Sequence, residues 1–243
     1  MTAEKYLLGI DDAGRGPVIG PMVIAGILIR EENEFLLKKI GAKDSKMLFP
    51  EQRKIMFKQI LELAEDTHIE KILPQEIDKA VFNKSFNLNT LEAAKIATVI
   101  NEILGRLPVK EKQKAEIKII VDCPSPNISK WKETMKSFIE PEVLSNKNLK
   151  LNFYVEHKAD VNHLACSAAS IVAKVTRDDE IEKLKSKTGI DFGSGYPADP
   201  ITCAALKKHE KELRSAGVLR ESWGTLRKSC EKTKGKQKKL GEF

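Results

Sequence analysis

A chain of 243 residues, 41% hydrophobic and 32% charged, has the size of one large α/β domain and needs no disulfides to bury a core. Its formal net charge of +7 points to a polyanionic partner, but residues 227–243 carry seven basic side chains against two acids, which leaves the first 226 residues at only +2. No apolar run approaches the roughly 18 to 20 residues that span a bilayer, and Asp11 and Asp12 interrupt the first apolar stretch, so a membrane protein is set aside and a cytoplasmic one without a signal peptide is expected.

Residues 6–10 form an apolar run that meets two aspartates and then a Gly/Pro-rich link, which predicts a buried strand ending at a site. A second run at 22–29 follows so closely that the two strands are expected to pair antiparallel. Pro50 opens a helix whose Ile55, Met56, Ile60 and Leu63 share one face, and 67–73 reads as a third strand. Leu91, Ala94, Ala97, Ile100 and Leu104 recur at helical spacing, and the helix ends near Gly105. Strands at 117–121, running into Asp122, and at 151–155 precede a long helix expected from Val161 to Lys187. Small residues at 165–170 allow that helix to approach the sheet closely. Strand and helix alternate, which predicts a mixed sheet covered by helices.

The chemistry lies in carboxylates. Cys123, Cys166, Cys203 and Cys230 form no C-x-x-C pair, and His68, His157, His163 and His209 are scattered, so neither zinc nor a redox pair is indicated. Asp11 and Asp12 end the first strand, Asp122 ends the fourth, and Asp160 sits just before the long helix. Groups at the carboxyl ends of neighbouring parallel strands converge, and several carboxylates in one place repel unless a cation joins them. Hard oxygen donors point to Mg²⁺ or Mn²⁺. Any one of these aspartates alone reads as a loop or helix cap; the cap reading weakens with each acid placed at an equivalent strand end. The Gly14-Arg15-Gly16 turn directly after the first pair brings backbone N–H groups and a guanidinium fork within reach of a phosphate or sugar, although G-R-G taken alone reads as a tight turn.

On these residues the chain resembles the ribonuclease HII family in its archaeal form. Residues 9–22 (GIDDAGRGPVIGPM) are similar to the family signature GIDEAGRGPVIGPM. Further matches follow in family order: Lys43-Asp44-Ser45-Lys46; His157-Lys158-Ala159-Asp160 with the block SAASIVAKVTRD at 167–178; GSGYPADP at 193–200; and an Arg, Ser-Trp and Thr pattern between Val218 and Leu226.

The resemblance implies an α/β, ribonuclease H-like fold, with a five-stranded mixed sheet flanked by helices and a C-terminal helical extension. The catalytic domain would occupy 1–226 and a basic tail 227–243. Asp11, Asp12, Asp122 and Asp160 fall at the family's catalytic, metal-binding positions, which implies two Mg²⁺ or Mn²⁺ ions. Gly14, Arg15 and Gly16 match the turn that recognises the ribonucleotide and its phosphate, and Tyr196 matches the tyrosine that stacks on the neighbouring deoxyribose. The implied activity is endonucleolytic cleavage of RNA in RNA/DNA hybrids and on the 5′ side of ribonucleotides embedded in duplex DNA, leaving 5′-phosphate and 3′-hydroxyl ends. A monomer is expected. Two departures stand out: Asp12 replaces the usual Glu, which predicts contact with a cation through water, and Leu164-Ala165-Cys166 replaces the usual P-V-V. At the C-terminus Gln237, Leu240 and Phe243 resemble the Q-x-x-L-x-x-F pattern by which replication proteins attach to a sliding clamp. The alternatives are ribonuclease HIII, whose extra N-terminal domain would precede the signature; a non-catalytic nucleic-acid-binding module using the tail; and a Mg²⁺-dependent phosphatase.

Overall fold

In the computed structural model, which describes residues 3–42, 49–83, 85–107, 114–224 and 226, the first two apolar runs become β1 (Glu4–Ala13) and β2 (Met22–Arg30). They pair antiparallel as expected, with Tyr6 opposite Arg30 and Ala13 opposite Val23. A 3-10 turn leads into α1 (Glu34–Ile40), followed by α2 (Pro50–Leu63), β3 (Asp66–Ile72), α3 (Pro74–Phe82), α4 (Leu88–Arg106) and β4 (Ala115–Asp122). Then come α5 (Ile128–Lys136), α6 (Pro141–Leu144), β5 (Leu149–Glu156), α7 (Ala159–Asn162), α8 (Leu164–Thr188) and α9 (Pro200–Ser215). The strands build one five-stranded mixed sheet in the order β3-β2-β1-β4-β5, with β4 parallel to both β1 and β5. No helix among the described residues is long and apolar enough to cross a membrane.

The chain divides into two compact units. The first comprises the described parts of 1–13, 23–71 and 89–177. Alternation along β1 sends Leu7, Gly9 and Asp11 to one face of the sheet and Leu8 and Ile10 to the other. Leu7, with Val23, Ala25, Ile27 and Ile29 of β2, packs against Met56 and Ile60 of α2 and the alanines of α8. Helix α4 covers the opposite face, where a β-carbon at Gly26 would collide with Val99 and Ile103. This apolar surface, removed from water on both faces, stabilises the sheet by roughly 1.5–3 kcal/mol per fully buried aliphatic side chain.

The second unit comprises the described parts of 14–22, 72–88 and 178–243. Val18, Ile19, Ile181, Phe192, Leu213, Val218 and Leu219 form its own apolar cluster.

Two differences from the sequence expectations have local causes. The helix expected to run unbroken from Val161 is two helices, because His163 adopts extended angles (φ −129, ψ 124) between α7 and α8. Helices α3 and α5 span only nine residues each, too short for a periodic pattern to stand out, and α9 is mostly polar and is interrupted at His209 (φ −125, ψ 23).

Candidate functional site

In the first unit, β1, β4 and β5 lie parallel and adjacent. Their pairing runs to Ile10 opposite Val121 and to Asp122 opposite Glu156, so Asp11 comes level with Asp122 at the carboxyl edge of the sheet. Alternation turns Asp11 toward α8, where the Ser170 hydroxyl bonds its carboxyl group, and places Asp12 on the other face. The Asp12 N–H donates to Asp11 Oδ1 at 2.8 Å. Gly9 makes this approach possible: a β-carbon there would overlap the backbone of Ala165 and Cys166, so the first turn of α8 rests directly on β1. Ala165, Cys166, Ala168 and Ala169 are fully buried in that contact.

Asp160 sits in α7 rather than at the mouth of the long helix. Lys158 caps α7 in the left-handed region at φ 58, where it is the only non-glycine among the described residues, a conformation costing about 1–2 kcal/mol. The Ala159 N–H that follows donates to Asp122 Oδ1 at 2.8 Å, and His157 Nδ1 lies 2.9 Å from the Cys123 carbonyl oxygen. The turn bearing Asp160 is therefore tied at two points to the strand end bearing Asp122. Glu156 shares the level of Asp122 without having stood out in the sequence. Its carboxylate accepts from Asn162 Nδ2 at 2.9 Å and pairs with His163 Nε2 at 3.0 Å.

Burial, then the charge of Asp12 and behind it that of Asp122, holds the Asp11 carboxyl well above the usual carboxylate range, against the opposing Ser170 hydrogen bond. The buried Cys166 thiol is pushed up in the same way, by burial first and then by Asp11, Asp122 and Asp160. A single sulfur thus senses three of the acids at once. Among the described residues no three Asp, Glu, His or Cys side chains form a ready-made metal cage. The donor chemistry nonetheless fits a hard divalent cation, since these are carboxylate oxygens and a positive ion would offset the repulsion that raises Asp11.

In the second unit, Gly14 opens the Gly14-Arg15-Gly16 turn at φ 81, which a side chain rarely tolerates. A β-carbon on Gly16 would lie 3.6 Å from Tyr196 Cε1, so the turn and the tyrosine are neighbours, and the Tyr196 ring is 40% exposed. The Val18 and Ile19 N–H groups both donate to the Gly195 carbonyl, at 2.8 and 3.2 Å. Asp199 closes the loop, accepting from the Ser194 hydroxyl and N–H at 2.6 Å each and capping α9 through the Ile201 N–H at 2.9 Å. These bonds, the Ser194 hydroxyl foremost, lower the Asp199 carboxyl from 3.8 to about 2. Because the folded value lies below the unfolded one, the stabilisation is full above about pH 4 and disappears as pH falls toward about 2. Asp199→Asn is accordingly expected to lower the Tm at pH 7, with the gap from the parent closing between those limits in a pH series of melting curves. Lys43-Asp44-Ser45-Lys46 and Gln237, Leu240 and Phe243 lie outside the described residues.

Comparison with known proteins adds independent findings. The family model described as ribonuclease HII matches residues 8–226. The chain is 41% identical over 233 residues to ribonuclease HII of Pyrococcus furiosus, covering 96% of this chain and 94% of that protein. It is similar to the solved ribonuclease H2 of Pyrococcus horikoshii OT3, with TM-score 0.74, 38% identity, and coverage of 92% of this chain and 96% of that one. It is likewise similar to a chain of the PCNA:RNase HII complex from Archaeoglobus fulgidus, with TM-score 0.72, 33% identity and coverage of 90% and 95%.

Proposed function

The chain belongs to the ribonuclease HII family and is a ribonuclease H, a nuclease acting on RNA/DNA hybrids, and from that premise we propose that it also incises duplex DNA on the 5′ side of a single embedded ribonucleotide. The observation that carries the proposal is the placement of Asp11 and Asp122 level at the edge of parallel strands, with the turn bearing Asp160 bonded to Asp122. In this reading Asp11, Asp12, Asp122 and Asp160 would hold two Mg²⁺ or Mn²⁺ ions. When bound, such ions supply Lewis-acid stabilisation of a phosphodiester and a nucleophilic water at neutral pH. The protein's own part is positional. Ser170 orients Asp11, the Lys158 cap aims Ala159 at Asp122, and Gly9 lets α8 carry Ser170 up to the strand. The products carry 5′-phosphate and 3′-hydroxyl ends.

Discrimination between RNA and DNA falls to the 2′-hydroxyl, which both donates and accepts. We assign its reading to the backbone of Gly14-Arg15-Gly16, with the Arg15 guanidinium on the phosphate and the exposed Tyr196 ring stacked on the next sugar. The test is a labelled duplex with one ribonucleotide, incubated with Mg²⁺ or EDTA beside an all-DNA control. Cleavage of the first substrate in Mg²⁺ alone is expected. Tyr196→Ala is expected to lower cleavage of that duplex by about 10-fold or more, each ~1.4 kcal/mol of lost contact being about tenfold in rate, whereas Tyr196→Phe stays near the parent. Equal activity of the two variants would remove the stacking role, and activity in EDTA would remove the metal.

The relative solved as a PCNA:RNase HII complex favours a second proposal, that the segment Gln237, Leu240, Phe243 attaches to a sliding clamp. Calorimetry should show a peptide of residues 232–243 binding the host clamp and a Leu240→Ala, Phe243→Ala peptide failing to bind. No difference between the two peptides would discard the proposal.

A further inference from the structure

Arg220 is fully buried, and its guanidinium is spent on the recognition turn. Its Nη2 donates to the Gly14 carbonyl at 2.6 Å, its Nη1 to the Arg15 carbonyl at 2.9 Å and its Nε to the Gly20 carbonyl at 2.9 Å. The Trp223 ring lies 5.0 Å below the same guanidinium and sends its Nε1–H to the Gly16 carbonyl at 3.0 Å. Four carbonyls of one short loop are thereby drawn to one side. None of the described peptide bonds is cis, and in a trans peptide the N–H points away from its carbonyl. Pulling in the Gly14 and Arg15 carbonyls therefore turns the N–H groups of Arg15 and Gly16 the other way. The two remaining carbonyls, of Gly16 and Gly20, precede Pro17 and Pro21, which have no N–H to present.

The segment that carries Arg220 is itself bolted down. Its N–H donates to the Val18 carbonyl at 2.9 Å, the Gly20 N–H donates to the Val218 carbonyl at 2.9 Å, and Ile19 and Leu219 form a β-bridge. The buried Asp78 receives the N–H groups of Glu221 and Ser222, at 2.8 and 2.9 Å, and the Ser222 hydroxyl at 2.6 Å. Planar guanidinium geometry is what lets one side chain span three carbonyls; a lysine ammonium is a point charge and cannot.

Given the role proposed above for the turn, we infer that Arg220, braced by Trp223 and Asp78, is a positioning residue that sets the specificity for a ribonucleotide by turning the peptides of Gly14–Gly16 N–H outward. It touches no substrate. Its effect is to make the loop a surface of fixed donors toward a 2′-hydroxyl and its phosphate, so its loss should erase preference for RNA rather than binding to nucleic acid in general.

The experiment measures affinity by fluorescence anisotropy in EDTA, where nothing is cut, for a duplex with one ribonucleotide and for the same duplex all in DNA. In the parent the first is expected to bind at least ten-fold tighter. Arg220→Lys and Trp223→Phe, the latter keeping an aromatic face under the guanidinium while losing the indole N–H, are each expected to reduce that ratio to within two-fold of unity, chiefly by weakening the ribonucleotide duplex. Mn²⁺ affinity measured calorimetrically should stay within two-fold of the parent, which a general loss of structure would not allow. Should Arg220→Lys fail to fold, Trp223→Phe decides. A control, Gly16→Val, separates the two levels of the proposal, with its melting curve checking that it folds; a β-carbon there meets only an ordinary 3.6 Å contact with Tyr196. If Gly16→Val collapses the ratio while Arg220→Lys and Trp223→Phe keep it, the positioning role is overturned and the turn's role stands. If Gly16→Val also keeps the ratio, or the parent shows none, the turn's role falls, and the inference falls with it.

Discussion

Asp11→Asn protein is expected to fold, to melt at a higher temperature than the parent in EDTA, and to lose about a thousandfold or more of its Mg²⁺-dependent cleavage. The two effects have one origin. Asp11 is 6% exposed, and burial together with the charges of Asp12 and Asp122 makes its ionised form costly. An acid whose folded pKa is raised contributes stability that is full below the unfolded value of 3.8 and is lost as pH rises through the folded one, so at neutral pH the carboxylate works against the fold. Asparagine removes that charge and keeps an oxygen to accept the Asp12 N–H, which bonds Oδ1 at 2.8 Å. Relief of that cost is expected to raise the Tm. The same substitution takes an anionic ligand from the proposed centre, where cation stabilisation is worth several kcal/mol and each 1.4 kcal/mol is about tenfold in rate. Melting curves in EDTA and single-turnover cleavage in Mg²⁺ measure the two effects separately. Near-parental cleavage by folded Asp11→Asn protein would end the metal-centre proposal.

The largest loss of stability is expected from Gly9→Ala. The added β-carbon would overlap the carbonyl carbon and oxygen of Ala165 and the nitrogen of Cys166, all backbone atoms with no flexible end to swing away. Relief requires α8 to lift from β1, which opens a contact lined by fully buried alanines. A cost of about 3 kcal/mol is expected, near the upper end for overpacking, or a Tm lower by roughly 6–12 °C. Gly105→Ala is the matched control. Nothing lies within 4 Å of a β-carbon there, and the residue is in the last turn of α4, so helix propensity predicts a Tm equal to or slightly above the parent's. Equal melting of Gly9→Ala and the parent would show that α8 does not rest on β1 as described. Since Gly9 precedes Asp11 by two residues on the same face, any folded Gly9→Ala protein should also cleave more slowly.

Much of this was legible in the order of residues. Short-range patterns depend on local chemistry: the apolar runs at 6–10 and 22–29 read as strands, their short link favoured an antiparallel pair, and aspartates at 11, 12 and 122 followed the apolar runs at strand ends. The motifs from Gly9 to Met22 and from Ser167 to Asp178 carried the family and with it the fold. Tertiary structure decided what depends on neighbours remote in sequence. The break at His163 accompanies the bond that ties the Asp160 turn to Asp122 across 37 residues, which no periodicity contains. Glu156 reached the level of Asp122 only through the register of β4 with β5, and Gly9 acquired its importance only because Ala165 was laid against it. Arg220 is the extreme case. In the sequence it belongs to the Arg, Ser-Trp and Thr pattern of 218–226 with no role attached, because its meaning lies in three carbonyls about 200 residues away, and only folding brings a planar donor and those acceptors within 3 Å of one another.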